Sequence, residues 1–232
     1  IATQLSLLLY LGLVCYVAIV SLEGLALIDA LEAGTGTATQ AESLETRTRA
    51  LAAMAVVLYL LTATLFICWM YTLRTSASVA PEAMRHSAGW TVGGWFVPIL
   101  NLFRPYQIMV DLWRGMVRPA RPFQGPGQPP VPVLVTLWWG AFLVTSVGGR
   151  LAVATVPAQA DTFDQARQAF QTELLVDAVS VVAAVLAIGV LRMYTARARA
   201  TPPPMPWTPI PNVWPSAASP RPDAQFPYGR PV

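Results

Sequence analysis

The chain contains 232 residues, of which 55% are hydrophobic and only 12% are charged, and its mean hydropathy is +0.51. Soluble domains carry about 25% charged residues, so this composition indicates a membrane protein. The formal net charge is +3, and all 15 basic residues are arginines. The absence of lysine excludes Schiff-base chemistry and general-base catalysis by lysine.

Four hydrophobic segments predict an all-α integral membrane protein. They cover residues 5–27, 51–73, 133–156 and 174–193, and each is near the ~20 residues that cross the hydrocarbon core of a bilayer. We expect four transmembrane helices in two hairpins, within a domain of residues 1–199. Cys15 and Cys68 lie inside the first two segments and are interpreted as small apolar residues, not as a disulfide or a metal pair.

The segment between the second and third spans is apolar but broken. Residues 90–103 are shorter than a span, and Gly93, Gly94 and Pro98 interrupt any helix there. Apolar segments of this length are typical of re-entrant or interfacial elements. We therefore predict that residues 87–118, called the box below, rest at the membrane surface or dip into it.

The second half of the box has the pattern of an amphipathic helix. Pro105 suits a first helical turn. The predicted apolar face consists of Tyr106, Met109, Val110, Trp113 and Val117, and the predicted polar face consists of Arg104, Gln107, Asp111, Arg114 and Arg118. We interpret this helix as lying in the membrane interface.

The box also carries a long motif. It includes Arg85, Ser87, Gly89, Trp90, residues 92–96, Pro98, Asn101, Leu102, residues 104–107, Asp111 and Trp113. In these residues the chain resembles a family of bacterial four-span membrane proteins that is catalogued as a domain of unknown function. The resemblance extends to about Arg199 and implies the membrane fold and a bacterial origin. It implies no activity, cofactor or catalytic residue.

The arginines predict the orientation of the chain. Most of them lie between the second and third spans or after the fourth span, whereas the other two loops hold only Arg47, Arg49 and Arg167. Positively charged loops stay on the cytoplasmic side. The sequence therefore predicts a multi-pass protein of the bacterial cytoplasmic (inner) membrane with both termini in the cytoplasm.

Three ionisable residues fall at a similar depth near the extracytoplasmic side of the predicted spans: Glu23, Arg150 and Asp177. A charge inside a bilayer is costly, and pairing lowers that cost. We expect Arg150 to bridge the two carboxylates and lock three helices together. A proton or ion path through the same residues, and unpaired side chains that reach the interface, are the alternatives.

No catalytic or metal-binding constellation is recognisable. His86 is the only histidine, and neither a GxSxG elbow nor a phosphate-binding glycine loop with a lysine is present. We therefore predict a protein that is not an enzyme and holds no metal or cofactor. Bound lipid is allowed, whereas pigment or haem contact through His86 is not expected. The predicted interfacial or lipid-contacting residues are Trp90, Trp95, Phe96, Arg104, Arg114 and Arg118.

The C-terminal tail, residues 200–232, is rich in proline, which favours an extended polyproline conformation. Its aromatic residues, Trp207, Trp214, Phe226 and Tyr228, have no core of their own and are the predicted partner-binding residues. The leading hypothesis is thus a non-catalytic accessory or scaffold subunit of a larger membrane complex, such as an energy-transducing one. Its expected partners are membrane lipids and other integral membrane subunits, not nucleic acid. A small transporter or ion-conducting protein that uses Glu23, Arg150 and Asp177, and a membrane sensor module, are the alternatives.

Overall fold

The computed structural model of the chain describes residues 1–116, 130–154 and 160–201, and within these ranges the chain is helical with no strand. Its helices are α1 (Ala2–Glu32), α2 (Ala38–Arg74), α3 (Trp90–Gly93), α4 (Pro98–Asn101), α5 (Arg104–Gly115), α6 (Val133–Leu143), α7 (Gly149–Ala154) and α8 (Phe163–Ala200). A 3₁₀ turn covers Pro81–Ala83, and a π turn, Val144–Gly148, joins α6 to α7. All described residues belong to one structural unit, Ile1–Pro202.

Within the described residues, four helical segments are long and apolar enough to cross a membrane, as predicted. Three are α1, α2 and α8, and the fourth is the run Val133–Leu151 through α6, the π turn and α7. The helices α1, α2 and α8 contain 31, 37 and 38 residues. At ~1.5 Å per residue they are about 46–57 Å long, more than the ~30 Å of hydrocarbon. Their polar ends therefore extend beyond the apolar stretches that the sequence pattern marks.

The polar extensions of α2 and α8 begin with the same type of cap. The Thr37 side chain accepts a hydrogen bond from the Gln40 backbone N–H, and the Gln40 side chain accepts one from the Thr37 backbone N–H. At the start of α8 the Thr162 side chain accepts a hydrogen bond from the Gln165 backbone N–H. Such caps satisfy N–H groups that have no partner within the helix. They explain why both helices start well before their hydrophobic stretches.

The bundle is organised around α1 and α8. The helix α1 packs against both α2 and α8, and α6 packs on α8. Hydroxyl groups also join α1 to α2, because Thr62 donates to the backbone oxygen of Ser6 at 3.4 Å and Thr3 donates to that of Leu65 at 3.3 Å. The four long segments thus form one bundle, in which α1 and α8 connect the two hairpins.

The amphipathic helix α5 is part of the protein core and not only an interfacial element. Met109 and Leu112 have no exposed surface, and they pack in one cluster with residues of α2, α6 and α8. The Tyr194 hydroxyl, fully buried on α8, donates to the backbone oxygen of Met109 at 2.7 Å. The predicted polar face is wrong at Asp111, which is 4% exposed. The helix α5 therefore packs its apolar face on the bundle.

The first half of the box is interrupted where the sequence predicts. The helix α3 ends at Gly93, and α4 begins at Pro98. A Cβ atom on Gly94 would lie 2.8 Å from Cγ of Arg104 and 2.9 Å from the backbone oxygen of Trp90. Contacts this short are not tolerated, so this close approach of the chain requires glycine. The turn between α3 and α4 directs Trp95 into the bundle.

The arginine distribution and the exposed positions of this fold together predict a labelling pattern. In a background with Cys15 and Cys68 replaced by alanine, cysteines at the exposed positions Thr39 and Gln168 should react with an impermeant thiol reagent added to intact cells. A cysteine at the exposed Glu82 should react only after permeabilisation. Labelling of Glu82 alone in intact cells would mean that the predicted orientation is inverted.

Candidate intramembrane binding site

A cavity of about 890 Å³ lies inside the bundle and is partly open to the outside. All the long helices contribute to its wall, and the box closes part of it through Trp95, Phe96 and Leu102. The wall is mainly apolar and aromatic. It includes Leu7, Phe66, Trp138, Phe142, Ala183, Ala184 and Ala187. Three alanines on one helix leave space that larger residues would fill.

Polar groups are few on this wall, and they come from α1, α2, α4, the π turn, α7 and α8. Tyr10 of α1 and Tyr59 of α2 have ring centroids 6.1 Å apart. The other polar residues with hydroxyl or amide side chains are Thr62, Asn101, Thr145, Ser146 and Ser180. Among the described residues that line the cavity, Arg150 is the only charged one. The cavity therefore combines a large apolar surface with one cationic group.

The irregular third span places this cationic group. The π turn brings three consecutive residues, Thr145, Ser146 and Val147, to the wall of the cavity, and Arg150 follows at the start of α7. π turns inside helices are rare and occur frequently at functional sites. The Thr145 hydroxyl is satisfied locally, because it donates to the backbone oxygen of Phe142 at 3.0 Å.

Arg150 does not form the predicted bridge. No carboxylate of the described residues lies within ion-pair distance of its guanidinium, and Glu23 is paired with Arg47 of α2 at 3.0 Å instead. Arg47 also donates to the Tyr16 hydroxyl at 3.3 Å. The physical reason is that α2 begins at Ala38, so that Arg47 lies on a helical extension packed against α1. The cap residues Thr37 and Gln40 are the sequence signal that could have revealed this extension.

Asp177, the third residue of the predicted layer, is partly buried on α8. One of its carboxylate oxygens, Oδ2, is buried without a hydrogen-bond partner within the described part of the chain. Arg150 and Asp177 form no ion pair there, and the three predicted residues are therefore not assembled into one cluster. Glu173, one turn before Asp177, has Ser21 of α1 as a hydrogen-bond partner.

Ion pairs that the sequence reasoning missed join the polar ends of α1 and α8. Arg167 of α8 lies 2.7 Å from Asp29 and 3.1 Å from Glu32, both on α1. Between these ends and the start of α2 is a second cavity of about 470 Å³, which Arg49 borders. Partly exposed ion pairs of this kind contribute roughly 0–1 kcal/mol each, so their main effect is on the geometry of the helix ends.

The predicted lipid-contacting residues of the box divide into two groups. Phe96 is 73% exposed and Trp90 is 38% exposed, as an interfacial position requires. Trp95 is instead half-buried, and its ring contacts those of Phe66, Trp139 and Phe142. The structure therefore assigns Trp95 to internal packing. Arg118 and the tail residues Trp207, Trp214, Phe226 and Tyr228 lie outside the described residues.

The arginines within the box and just before it differ in their partners. Arg85 forms an ion pair with Asp111 at 2.8 Å. Arg104 contacts the ring nitrogens of His86 and lies 5.4 Å from the centroid of the Trp90 ring. Arg114 is half-buried, and its Nε atom has no hydrogen-bond partner among the described residues. In the same part of the chain, no group of three or more His, Cys, Asp or Glu residues could hold a metal ion.

The described residues define an α-helical protein with four segments of membrane-spanning length around an internal cavity. The family model for a domain of unknown function, DUF4328, matches residues 34–196, and the chain therefore belongs to this family. The matched range begins after α1 and ends within α8. No curated protein and no solved structure matches the chain.

The buried Asp111 and the partly buried Asp177 predict different effects on stability. Asp111→Asn should destabilise the protein by about 1–3 kcal/mol, because the Asp111 carboxylate accepts hydrogen bonds from Arg85 in a site that is 4% exposed. Asp177→Asn should be neutral or stabilising, because it removes a charge whose Oδ2 has no partner. Thermal unfolding of both variants in the same detergent checks this difference. Equal destabilisation by the two substitutions would mean that Asp177 is also paired.

Proposed function

We propose that this protein is a membrane-embedded binding protein for a hydrophobic organic anion. The ligand's apolar chain occupies the cavity of about 890 Å³, and its anionic group pairs with Arg150. The single observation that carries this proposal is Arg150 itself, a cation on an otherwise uncharged cavity wall with no carboxylate partner among the described residues.

The electrostatic argument starts from the cost of the charge. On insertion scales an arginine costs roughly 2.5–3.5 kcal/mol at the centre of a span and less near an interface, and an intramembrane charge usually marks a ligand path or has a counter-ion. Arg150 is exposed and lies one residue before the end of the apolar run Val133–Leu151, so its cost is below these values. Glu23 is already paired with Arg47. A ligand carboxylate or phosphate would supply the missing counter-charge and form charge-assisted hydrogen bonds with the planar guanidinium.

The remainder of the cavity favours a long apolar ligand. Ligand cavities are usually about 300–1,000 Å³, and they combine apolar walls with a few orienting polar groups. Here the wall supplies the aromatic side chains of Phe66, Trp138 and Phe142, and the hydroxyl groups of Tyr10 and Tyr59. Membrane lipids, which are expected partners of the chain, are the natural pool of such ligands.

The other functional hypotheses stay predictions. An accessory or scaffold role rests on the tail, which lies outside the described residues. An ion path would need a connected series of charges, whereas Glu23 is paired away from Arg150. A sensor role is compatible with ligand binding and would use the same cavity, but binding is the part that the contacts of Arg150 support.

The test is photo-crosslinking in nanodiscs of neutral phosphatidylcholine. The probes are a diazirine-labelled palmitic acid and its methyl ester, used at alkaline pH so that the acid is ionised. The acid should label residues of the cavity wall, and Arg150→Gln should reduce this labelling about tenfold while leaving that of the ester unchanged. This magnitude corresponds to losing one hydrogen bond to a charged group.

Matched variants separate the cavity from other binding places. Arg49→Gln removes an exposed arginine outside the main cavity and should have no effect. Ala183→Phe fills the cavity and should reduce labelling by both probes, whereas Ala178→Phe, at an exposed position of the same helix, should not. Equal losses in Arg150→Gln and Arg49→Gln, or adducts confined to the outer helix faces, would contradict the proposal.

A further inference from the structure

A second cationic site lies at the start of the box and is centred on His86, the residue that directly precedes it. The guanidinium of Arg104 contacts the His86 ring nitrogens, and Nη2 of Arg74 donates to the His86 backbone oxygen at 2.6 Å. No carboxylate of the described residues lies within 4.0 Å of either guanidinium. Two guanidinium groups and an imidazole ring therefore meet at His86 with no carboxylate partner among the described residues.

Arg85, the residue next to His86, differs from Arg74 and Arg104 because it has a carboxylate partner. Asp111, the buried carboxylate of the box, is saturated by Arg85, whose Nε donates at 2.9 Å and whose Nη2 lies 2.8 Å away. Asp111, the buried acid among the described residues of this region, therefore holds Arg85 in place. Arg74 and Arg104 have no such carboxylate partner among the described residues, although both contact the neighbouring His86.

The surroundings hold Arg104 in position. Its side-chain stem packs directly against Gly94, where a Cβ atom would lie 2.8 Å from Cγ of Arg104. Its guanidinium lies over the Trp90 and Phe103 rings, at 5.4 Å and 5.9 Å from their centroids. Its buried Nε has no hydrogen-bond partner among the described residues. Fixed donors of this kind lose little entropy when they bind an anion.

We propose that Arg74, His86 and Arg104 bind a phosphate monoester group, and that this group is the headgroup of an anionic membrane lipid. Two guanidinium groups and an imidazole supply several N–H donors, which suits the three terminal oxygens of a phosphate monoester better than the two oxygens of a carboxylate.

The apolar side chains beside the site indicate a lipid and not a soluble phosphate. Phe96 and Ile99, in the segment between Trp90 and Arg104, are each 73% exposed. Apolar residues with this exposure next to a cationic cluster are typical of elements that lie at a lipid interface. Acyl chains would cover Phe96 and Ile99 while the phosphate remains at the arginines.

The test is native mass spectrometry of the full chain with dioleoyl phosphatidic acid, which carries a phosphate monoester, and dioleoyl phosphatidylglycerol, a diester with one charge. We expect stronger retention of phosphatidic acid. Arg74→Gln and Arg104→Gln should each reduce its apparent affinity about tenfold, as loss of a charge-assisted hydrogen bond predicts. Arg104→Lys, which keeps the charge but not the two-pronged geometry, should recover only part of the loss.

The control is Arg199→Gln, at an exposed position near the end of α8, which changes the net charge equally. If it weakens phosphatidic acid binding as much as Arg104→Gln, the attraction is general surface charge and the site is refuted. Equal binding of the two lipids refutes selectivity for a monoester. Melting temperatures without lipid show whether each variant is folded, and Arg74→Gln provides a second test where Arg104→Gln fails to fold.

Inorganic phosphate distinguishes the two sources of the ligand. If the site takes a lipid, millimolar phosphate should not raise the melting temperature of the delipidated protein in detergent. A rise that disappears in both Arg74→Gln and Arg104→Gln would overturn the lipid assignment and identify a soluble phosphate compound as the ligand. This result is independent of Arg150, and hence of the proposal for the internal cavity.

Discussion

The packing of Trp95 inside the bundle is the interaction on which the rest of the structure depends. Its ring lies between Phe66 of α2 and the pair Trp139 and Phe142 of α6, with centroid distances of 5.7–6.1 Å. Trp139 in turn donates its indole N–H to the backbone oxygen of Leu102 at 3.2 Å. Each aromatic contact of this type contributes about 0.5–1.5 kcal/mol to stability, in addition to the contribution of the buried area. They fix the box between two spans and make it one wall of the cavity.

The same packing determines which charges of this region are buried and paired. With α5 docked on α8 through Tyr194 and Met109, Asp111 is buried in a site where it pairs with Arg85. Arg104, seven residues earlier on α5, remains at the rim. A buried carboxylate needs its partner for stability, whereas a half-exposed arginine does not. Arg104, which contacts His86 and has no carboxylate partner among the described residues, remains available for the anion that we propose.

The lengths of the apolar stretches and the positions of helix-breaking residues made much of the fold predictable from the sequence. Four helical segments of spanning length lie where the apolar stretches are, and the box breaks at Gly93, Gly94 and Pro98. Helix extension was not predictable from hydropathy, because residues 38–50 are polar and are helical through their cap and their contacts with α1. The wrong prediction that Glu23 pairs with Arg150 follows from this missed extension. The partner of Glu23, Arg47, lies on that extension.

The burial of Asp111 shows a second limit of sequence patterns. The helical period places Asp111 on the same face as the arginines of α5. It does not show that Arg85 approaches from a different segment, and the hydrogen bonds of Arg85 reduce the cost of burying the Asp111 charge. The cavity could not be predicted for a related reason, since it depends on the arrangement of several helices. Ala183, Ala184 and Ala187 are small residues in a span, and only the tertiary packing shows that they border a cavity formed by the described residues.

The irregular third span has a consequence for how ligands are held. In a regular α-helix successive residues are about 100° apart, so three consecutive side chains point over more than half of the circumference. The π turn Val144–Gly148 has a wider turn, and three of its consecutive residues border the cavity. The carbonyl groups there follow a different hydrogen-bond pattern, which a π turn sustains only when its surroundings stabilise it. Because Arg150 lies two residues after this turn, a change between π and α geometry would rotate its guanidinium relative to the cavity, and the ligand binding that we propose at Arg150 would be coupled to the shape of this span.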